Sequence, residues 1–159
     1  MSRDGGGIKV LFVCTANVCR SPMAAAISNA LAEEQRVPWE ATSAGVRALV
    51  GERMSPRAGA ALEEIGVYSE QHRARQVDPR MLDEADLVLA MTLDHAKVLR
   101  RLSLPASDKV HTLVAFAEGA AEGEGIPDPY GQSMTVHRAS VRQLLSCLGE
   151  VVGRTERRR

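Results

Sequence analysis

Short unbroken apolar runs alternate along this chain with longer stretches in which apolar residues recur every three or four positions. Ile8-Lys9-Val10-Leu11-Phe12-Val13 is the first run, β-branched and nearly continuous in hydrophobicity, as a strand buried on both faces of a sheet requires. Cys14 stands at its C-terminal end. Ser21-Pro22 then reads as N-cap and N1, and Met23, Ile27 and Leu31 follow at helical spacing, predicting an amphipathic helix to about Gln35. Trp39 to Ser43 predicts a second strand closed by Gly45, and Ser55-Pro56 opens a helix carrying Ala61, Leu62 and Ile65 that Gly66 ends. Ala85 to Met91 reads as a third buried strand, Thr92 to Leu102 as a helix, and Val110 to Phe116 as a fourth strand. The stretch from about Ser133 to Val152 places Val141, Leu144, Leu145, Leu148 and Val152 on one helical face.

Strand and helix alternating in this way predict an α/β domain with a parallel sheet, whose ligands collect beyond the carboxyl ends of the strands. Cys14 lies at such an end. The Gly-rich, acidic stretch from Glu118 to Gln132 is too long for a tight connection and too polar for an element, so it is expected to be a surface loop. At 159 residues one domain is expected. Its expected extent is residues 8–152, with a flexible N-terminus over 1–7 and a solvated basic tail over 153–159. No internal repeat is present.

Charge narrows the partners. Twenty Lys+Arg stand against twenty Asp+Glu, so no global field draws the chain to nucleic acid or an acidic membrane, and any anion recognition must be local. The opening MSRDGGG is too polar for a signal peptide, and no apolar run approaches the roughly 20 residues that span a bilayer. A cytoplasmic protein is expected. Its three cysteines, an odd number without a secretion signal, are then reduced thiols with a chemical role if any.

The chemistry concentrates in Cys14-Thr15-Ala16-Asn17-Val18-Cys19-Arg20-Ser21, which joins a buried strand to a helix N-terminus. A loop wrapped there can aim several backbone N–H groups at one point, with the positive end of the helix behind them, and so favours a bound oxyanion. The same field favours negative charge on the Cys14 sulfur, the form in which cysteine attacks. Arg20 can fold back with its planar fork on two phosphate oxygens, and Ser21 can donate a hydrogen bond to the sulfur as it leaves. A bare Cys-x5-Arg spacing arises often by chance. Here it also follows a strand, opens a helix and carries Ser after Arg.

The segment VCTANVCRSPMA, residues 13–24, resembles the active-site loop of the low-molecular-weight protein tyrosine phosphatases. Ser43-Ala44-Gly45, His72-Arg73-Ala74-Arg75-Gln76, Ala85 to Met91 and Asp128-Pro129-Tyr130-Gly131 resemble further family segments, so the similarity spans roughly residues 8 to 150. It implies a single domain with a four-stranded parallel sheet in order 2-1-3-4 and helices on both faces. It implies Cys14 as nucleophile, Arg20 as phosphate clamp and Asp128 as general acid on a mobile loop. The chemistry asks for the same acid, since a leaving group otherwise departs unprotonated, although an Asp beside Pro is equally a turn former. Thr15, Ala16, Asn17, Val18, Cys19 and Ser21 complete the implied phosphate-binding loop, with Ser43 and His72 supporting Asn17. A reversible Cys14–Cys19 disulfide is likewise implied, against the alternative that Cys19 is an inert packed thiol.

Tyr130, one of five aromatic residues, is expected to wall a substrate pocket with Val18 and Leu49. Many family members carry a second aromatic after the second strand, where this chain reads Val46-Arg47-Ala48-Leu49-Val50-Gly51-Glu52. Ala85 to Thr92, Asp108 to Leu113 and Asp128 to Arg138 also resemble the bacterial branch that hydrolyses phosphoarginine in proteins. That branch has threonine at the position of Val18, and valine cannot make its hydrogen bond. The expected activity is therefore a protein tyrosine phosphatase acting on phosphorylated protein, with protein-arginine phosphatase as the alternative. Arsenate reductases share the loop but need a further redox cysteine pair, and no cysteine lies between Cys19 and Cys147. A phosphate-binding module would need neither nucleophile nor acid. Zinc would need more ligands than Cys-x4-Cys supplies. No cofactor or metal is expected, and the chain is expected to be a monomer or weak dimer.

Overall fold

The computed structural model describes residues 7–123 and 125–157. Four parallel strands, β1 (Ile8–Cys14), β2 (Trp39–Gly45), β3 (Leu87–Ala90) and β4 (Val110–Thr112), form one sheet in the order β2-β1-β3-β4. Among the described residues six α-helices connect and cover them: α1 (Arg20–Gln35), α2 (Pro56–Glu63), α3 (Pro79–Glu84), α4 (Leu93–Leu102), α5 (Leu113–Glu118) and α6 (Met134–Arg157). The expected fold class and strand order are borne out.

Central β1 shows why its sequence is almost continuously apolar. Its side chains alternate between two faces, and both are covered. Val10, Phe12 and Cys14 join a core with Met23 and Ile27 of α1 and Leu144 and Leu148 of α6. Leu11 and Val13 join a second core with Leu82 of α3 and Leu99 of α4. The first layer sets the start of α1 directly behind the end of β1, which is where the chemistry-bearing loop must turn.

Four expectations about elements need correction. The third strand covers Leu87–Ala90 only, because Ala85 still caps α3. That helix was not expected, although Asp78 caps it by accepting the Met81 N–H at 2.9 Å and Pro79 follows at N1; six residues are too few to show a helical period. Val110 to Phe116 is not one strand, since β4 stops at Thr112 and α5 begins at Leu113. Leu113 and Ala117, four apart, both face the first core, a helical spacing that a short apolar run conceals. Finally, α6 runs on to Arg157, and Arg154 donates to the carbonyls of Phe116 and Ala117, so the boundary expected before residue 153 falls inside a helix. Residues 1–6, 158 and 159 of the expected termini lie outside the described residues. Among the described residues no helix is long and apolar enough to cross a membrane.

Candidate active site

Cys14 ends β1 at the carboxyl edge of the sheet, and residues 15–19 lead from it into α1. The carbonyls of this loop are all taken. Those of Cys14, Thr15, Ala16 and Val18 accept the amides of Val46, Arg47, Leu49 and Ser55 at 2.9–3.0 Å, and that of Asn17 is bonded to His72 Nε2 at 2.8 Å. Among the described residues, no acceptor takes the amides of Ala16, Asn17, Val18, Cys19 or Arg20. A tight loop whose carbonyls are occupied by its surroundings and whose N–H groups are free beside a helix N-terminus is a donor nest for an anion.

Asn17 makes the turn possible. It is fully buried with φ 62°, in the left-handed region that Asn tolerates better than most residues. Its Nδ2 donates to Ser21 Oγ at 2.8 Å and Ser43 Oγ at 2.9 Å, and its Oδ1 accepts the Arg75 amide at 2.9 Å. Gly45 closes the back of the turn, where a Cβ would collide with the Thr15 carbonyl. Ser43 and His72 are both hydrogen-bonded to Asn17, and so is Arg75, which was not singled out. Burial holds the half-buried His72 below the usual histidine range, with Arg73 and Arg75 adding to the effect against the opposing Asn17 bond.

Ser21 corrects a further expectation. The helix begins one residue earlier, at Arg20, with Cys19 at the N-cap and no side-chain cap, so Ser21 lies inside the first turn. Its hydroxyl is drawn into the loop instead, 2.9 Å from Cys14 Sγ and 3.3 Å from the Ala44 carbonyl.

Arg20 is 4% exposed. Its Nη1 donates to the Ile126 carbonyl at 3.1 Å and its Nη2 to Thr15 Oγ1 at 3.4 Å, while Asp128 Oδ2 lies 3.5 Å from Nη2. Among the described residues its buried Nε–H finds no partner. A buried guanidinium with a free donor, among free amides, calls for acceptor oxygens.

Asp128 reaches Arg20 from the loop between α5 and α6. Its Oδ1 accepts the Tyr130 amide at 3.1 Å, a turn-forming bond, while the carboxylate stays half exposed. The turn-forming bond and the approach to Arg20 thus occur in one conformation. The loop is pinned at Ile126, fully buried, whose amide donates to the Met91 carbonyl at 2.9 Å. Val18, Leu49 and Tyr130 line one pocket together with Glu52, Arg53 and Arg73.

All three cysteines are free. Cys19 Sγ lies 3.0 Å from Ser55 Oγ, and burial pushes its thiol up to about 11, with Ser55 opposing. Cys147 packs into the first core from α6, where burial likewise raises it, and so stands away from the loop as a core residue. Sequence reasoning missed His95, whose ring reaches Thr15, and Thr92, which is bonded to the other side of that ring; the Thr-x-x-His spacing at a helix start was the available signal.

The family model described as low molecular weight phosphotyrosine protein phosphatase matches residues 9–154. The chain belongs to that family. It is 41% identical over 137 residues to a protein-arginine-phosphatase of Geobacillus stearothermophilus, covering 86% of this chain and 88% of the relative. It is 40% identical over 128 residues to a low molecular weight protein-tyrosine-phosphatase of Streptomyces coelicolor, covering 77% of each. The crystal structure of a low molecular weight protein tyrosine phosphatase from T. tengcongensis superposes with a TM-score of 0.88 at 36% identity, over 93% of this chain and 99% of that one. As a low molecular weight phosphatase, the chain carries its Cys14 and Arg20 in the arrangement that cysteinyl-phosphate chemistry requires.

Proposed function

We propose that this chain hydrolyses phosphotyrosine in proteins through a cysteinyl-phosphate intermediate, with Cys14 as nucleophile, Arg20 as clamp and Asp128 as acid and base. The free amides of residues 16–20 beside Cys14 carry the proposal. Three equatorial phosphate oxygens accept those N–H groups and the Arg20 fork, which stabilise the charge that spreads over them in the transition state. The Cys14 sulfur attacks phosphorus as the bond to the tyrosine oxygen breaks, and protonated Asp128 gives that oxygen its proton. A water molecule then attacks the phosphorus and passes a proton to the Asp128 carboxylate. The S–P bond breaks, Ser21 donates to the departing sulfur, and orthophosphate leaves with the thiolate restored.

The pocket at Val18, Leu49 and Tyr130 suits a flat aromatic group, since Val18 offers no hydrogen bond to a guanidinium and Tyr130 offers a ring face. A second reading, phosphoarginine in proteins, is favoured by one observation: the 41%-identical relative is named for that activity. The same three residues would serve. The proposed partner is a phosphoprotein in the cytoplasm, met by a monomer or weak dimer, and the balanced charge favours neither nucleic acid nor membrane.

The test is kcat/KM on a phosphotyrosine peptide and on a phosphoarginine protein, without added metal and under reducing conditions, for wild type and Cys14→Ser. Phosphotyrosine turnover that falls by about 10⁴-fold or more in Cys14→Ser is the expected result. A strong preference for phosphoarginine transfers the assignment to the second reading, and no turnover of either substrate sinks both.

A further inference from the structure

Behind the phosphate loop a row of three polar side chains ends on Arg20. His95 stands in the first turn of α4, just past the carboxyl end of β3, and is 6% exposed. Its Nε2 is hydrogen-bonded to Thr15 Oγ1 at 2.8 Å and its Nδ1 to Thr92 Oγ1 at 3.0 Å. Thr15 Oγ1 in turn accepts from Arg20 Nη2 at 3.4 Å. Capping explains only part of this. Thr92 caps α4 by accepting the His95 backbone N–H at 3.3 Å, a bond that any residue but proline could supply at position 95. Both ring nitrogens are committed in addition, one of them to the loop that holds Cys14.

We propose that His95 is a positioning residue for phosphate binding, holding the Thr15 hydroxyl in place between itself and Arg20 and so fixing the edge of the guanidinium that faces the donor nest. The inference rests on the phosphatase reading above. A threonine side chain at a partly exposed loop position has three staggered rotamers to sample. Bonded to a ring that is itself bonded to Thr92, it keeps one. Arg20 then meets a placed oxygen rather than a rotating one, and less conformational freedom is lost when the oxyanion arrives. The ring suits this task as a neutral group. Burial, and next the positive charge of Arg20, push His95 down to about 4 against Asp94 and Asp128, so no second cation competes with Arg20 at neutral pH.

The experiment measures inhibition by orthophosphate and the kcat and KM of a small aryl phosphate for wild type, His95→Ala, His95→Gln, Thr15→Val and the double variant His95→Ala/Thr15→Val. His95→Ala is expected to weaken orthophosphate binding and kcat/KM by about tenfold, the worth of one well-placed hydrogen bond. Gln, whose amide can replace Nε2 toward Thr15, restores most of the loss. In the Thr15→Val background, removing His95 adds less than about twofold, because both changes cut the same connection. Penalties that simply multiply, or a lowered melting temperature with unchanged orthophosphate affinity, overturn the proposal and leave His95 a packing residue of α4. If His95→Ala does not fold, Thr15→Val decides alone: unchanged orthophosphate affinity overturns the proposal, and a tenfold loss supports it. Wild type that neither binds orthophosphate nor turns over the ester instead sinks the phosphatase reading itself.

Discussion

Two segments meet at Arg20, and they are built in opposite ways. The Cys14 loop is buried, with Asn17, Val18, Cys19 and Ser21 all under 5% exposed and every carbonyl from Cys14 to Cys19 accepting from a neighbour. The Asp128 carboxylate is half exposed, and its loop is tied down on either side of it, at Glu122, Ile126 and Gln132. A nucleophile needs a fixed field around it, so its loop is made part of the core. The acid proposed at Asp128 must meet substrate, donate and later take up a proton from water, and for that it needs solvent and room. Changes to the first segment should therefore cost stability and activity together, and changes to the second activity alone.

Asp128→Asn gives the largest separation of the two effects. It removes the proton but keeps an acceptor oxygen for the Tyr130 amide, and the lost contact with Arg20 is half solvent-exposed. We expect kcat on a phosphotyrosine peptide to fall about 10²–10⁴-fold, as for loss of a general acid, with stability changed by no more than about 0.5 kcal/mol. The loss should shrink for an aryl phosphate whose leaving group is already a weak base. A melting temperature lowered in step with activity, or equal losses on both substrates, would break the contrast between the segments.

Asn17→Ala tests the other side. It strands the Arg75 amide and the Ser43 hydroxyl and puts an alanine at φ 62°, so about 2–3 kcal/mol of stability should go, with catalysis reduced as well. Asn17→Gly separates the causes, since glycine accepts the backbone angle but restores no hydrogen bond. If both variants unfold at the same urea concentration as wild type, the loop is not held by Asn17.

This contrast also governs what could be read from the chain. The Cys14 loop was legible because its residues are contiguous and their order carries the geometry: a strand that ends in Cys, a turn with Asn, then Arg-Ser at a helix start. The partners that hold it come from Ser43, Ser55, His72, Arg75, Thr92 and His95, and no local pattern says that these meet. Family resemblance supplied Ser43 and His72 but not the others. The missed helices have the same cause, since α3 and α5 are too short to display a period and form because their neighbours bury Leu82, Leu113 and Ala117. Ser21 was misplaced for the reverse reason. Ser-Pro is a strong helix-start signal, and here the side-chain bonds to Cys14, Asn17 and Ala44 override it.

That override sharpens the comparison at its smallest scale. The Ser21 hydroxyl has one proton and two places to send it, Cys14 Sγ at 2.9 Å and the Ala44 carbonyl at 3.3 Å, while its oxygen accepts from Asn17. While sulfur is bound to phosphorus it is a poor acceptor, so the proton can rest on the carbonyl. As the S–P bond breaks, charge returns to sulfur and draws the proton to it. Ser21→Ala removes this response from the second step and leaves the Asp128 loop untouched. We expect breakdown of the intermediate to slow about tenfold, the lower end for a hydrogen bond to a charged group, so that a burst of leaving group precedes a slower steady state. A rapid-mixing trace without a burst, and with the slower rate already present in the first turnover, would place the role of Ser21 in shaping the loop through Asn17 rather than in releasing the sulfur.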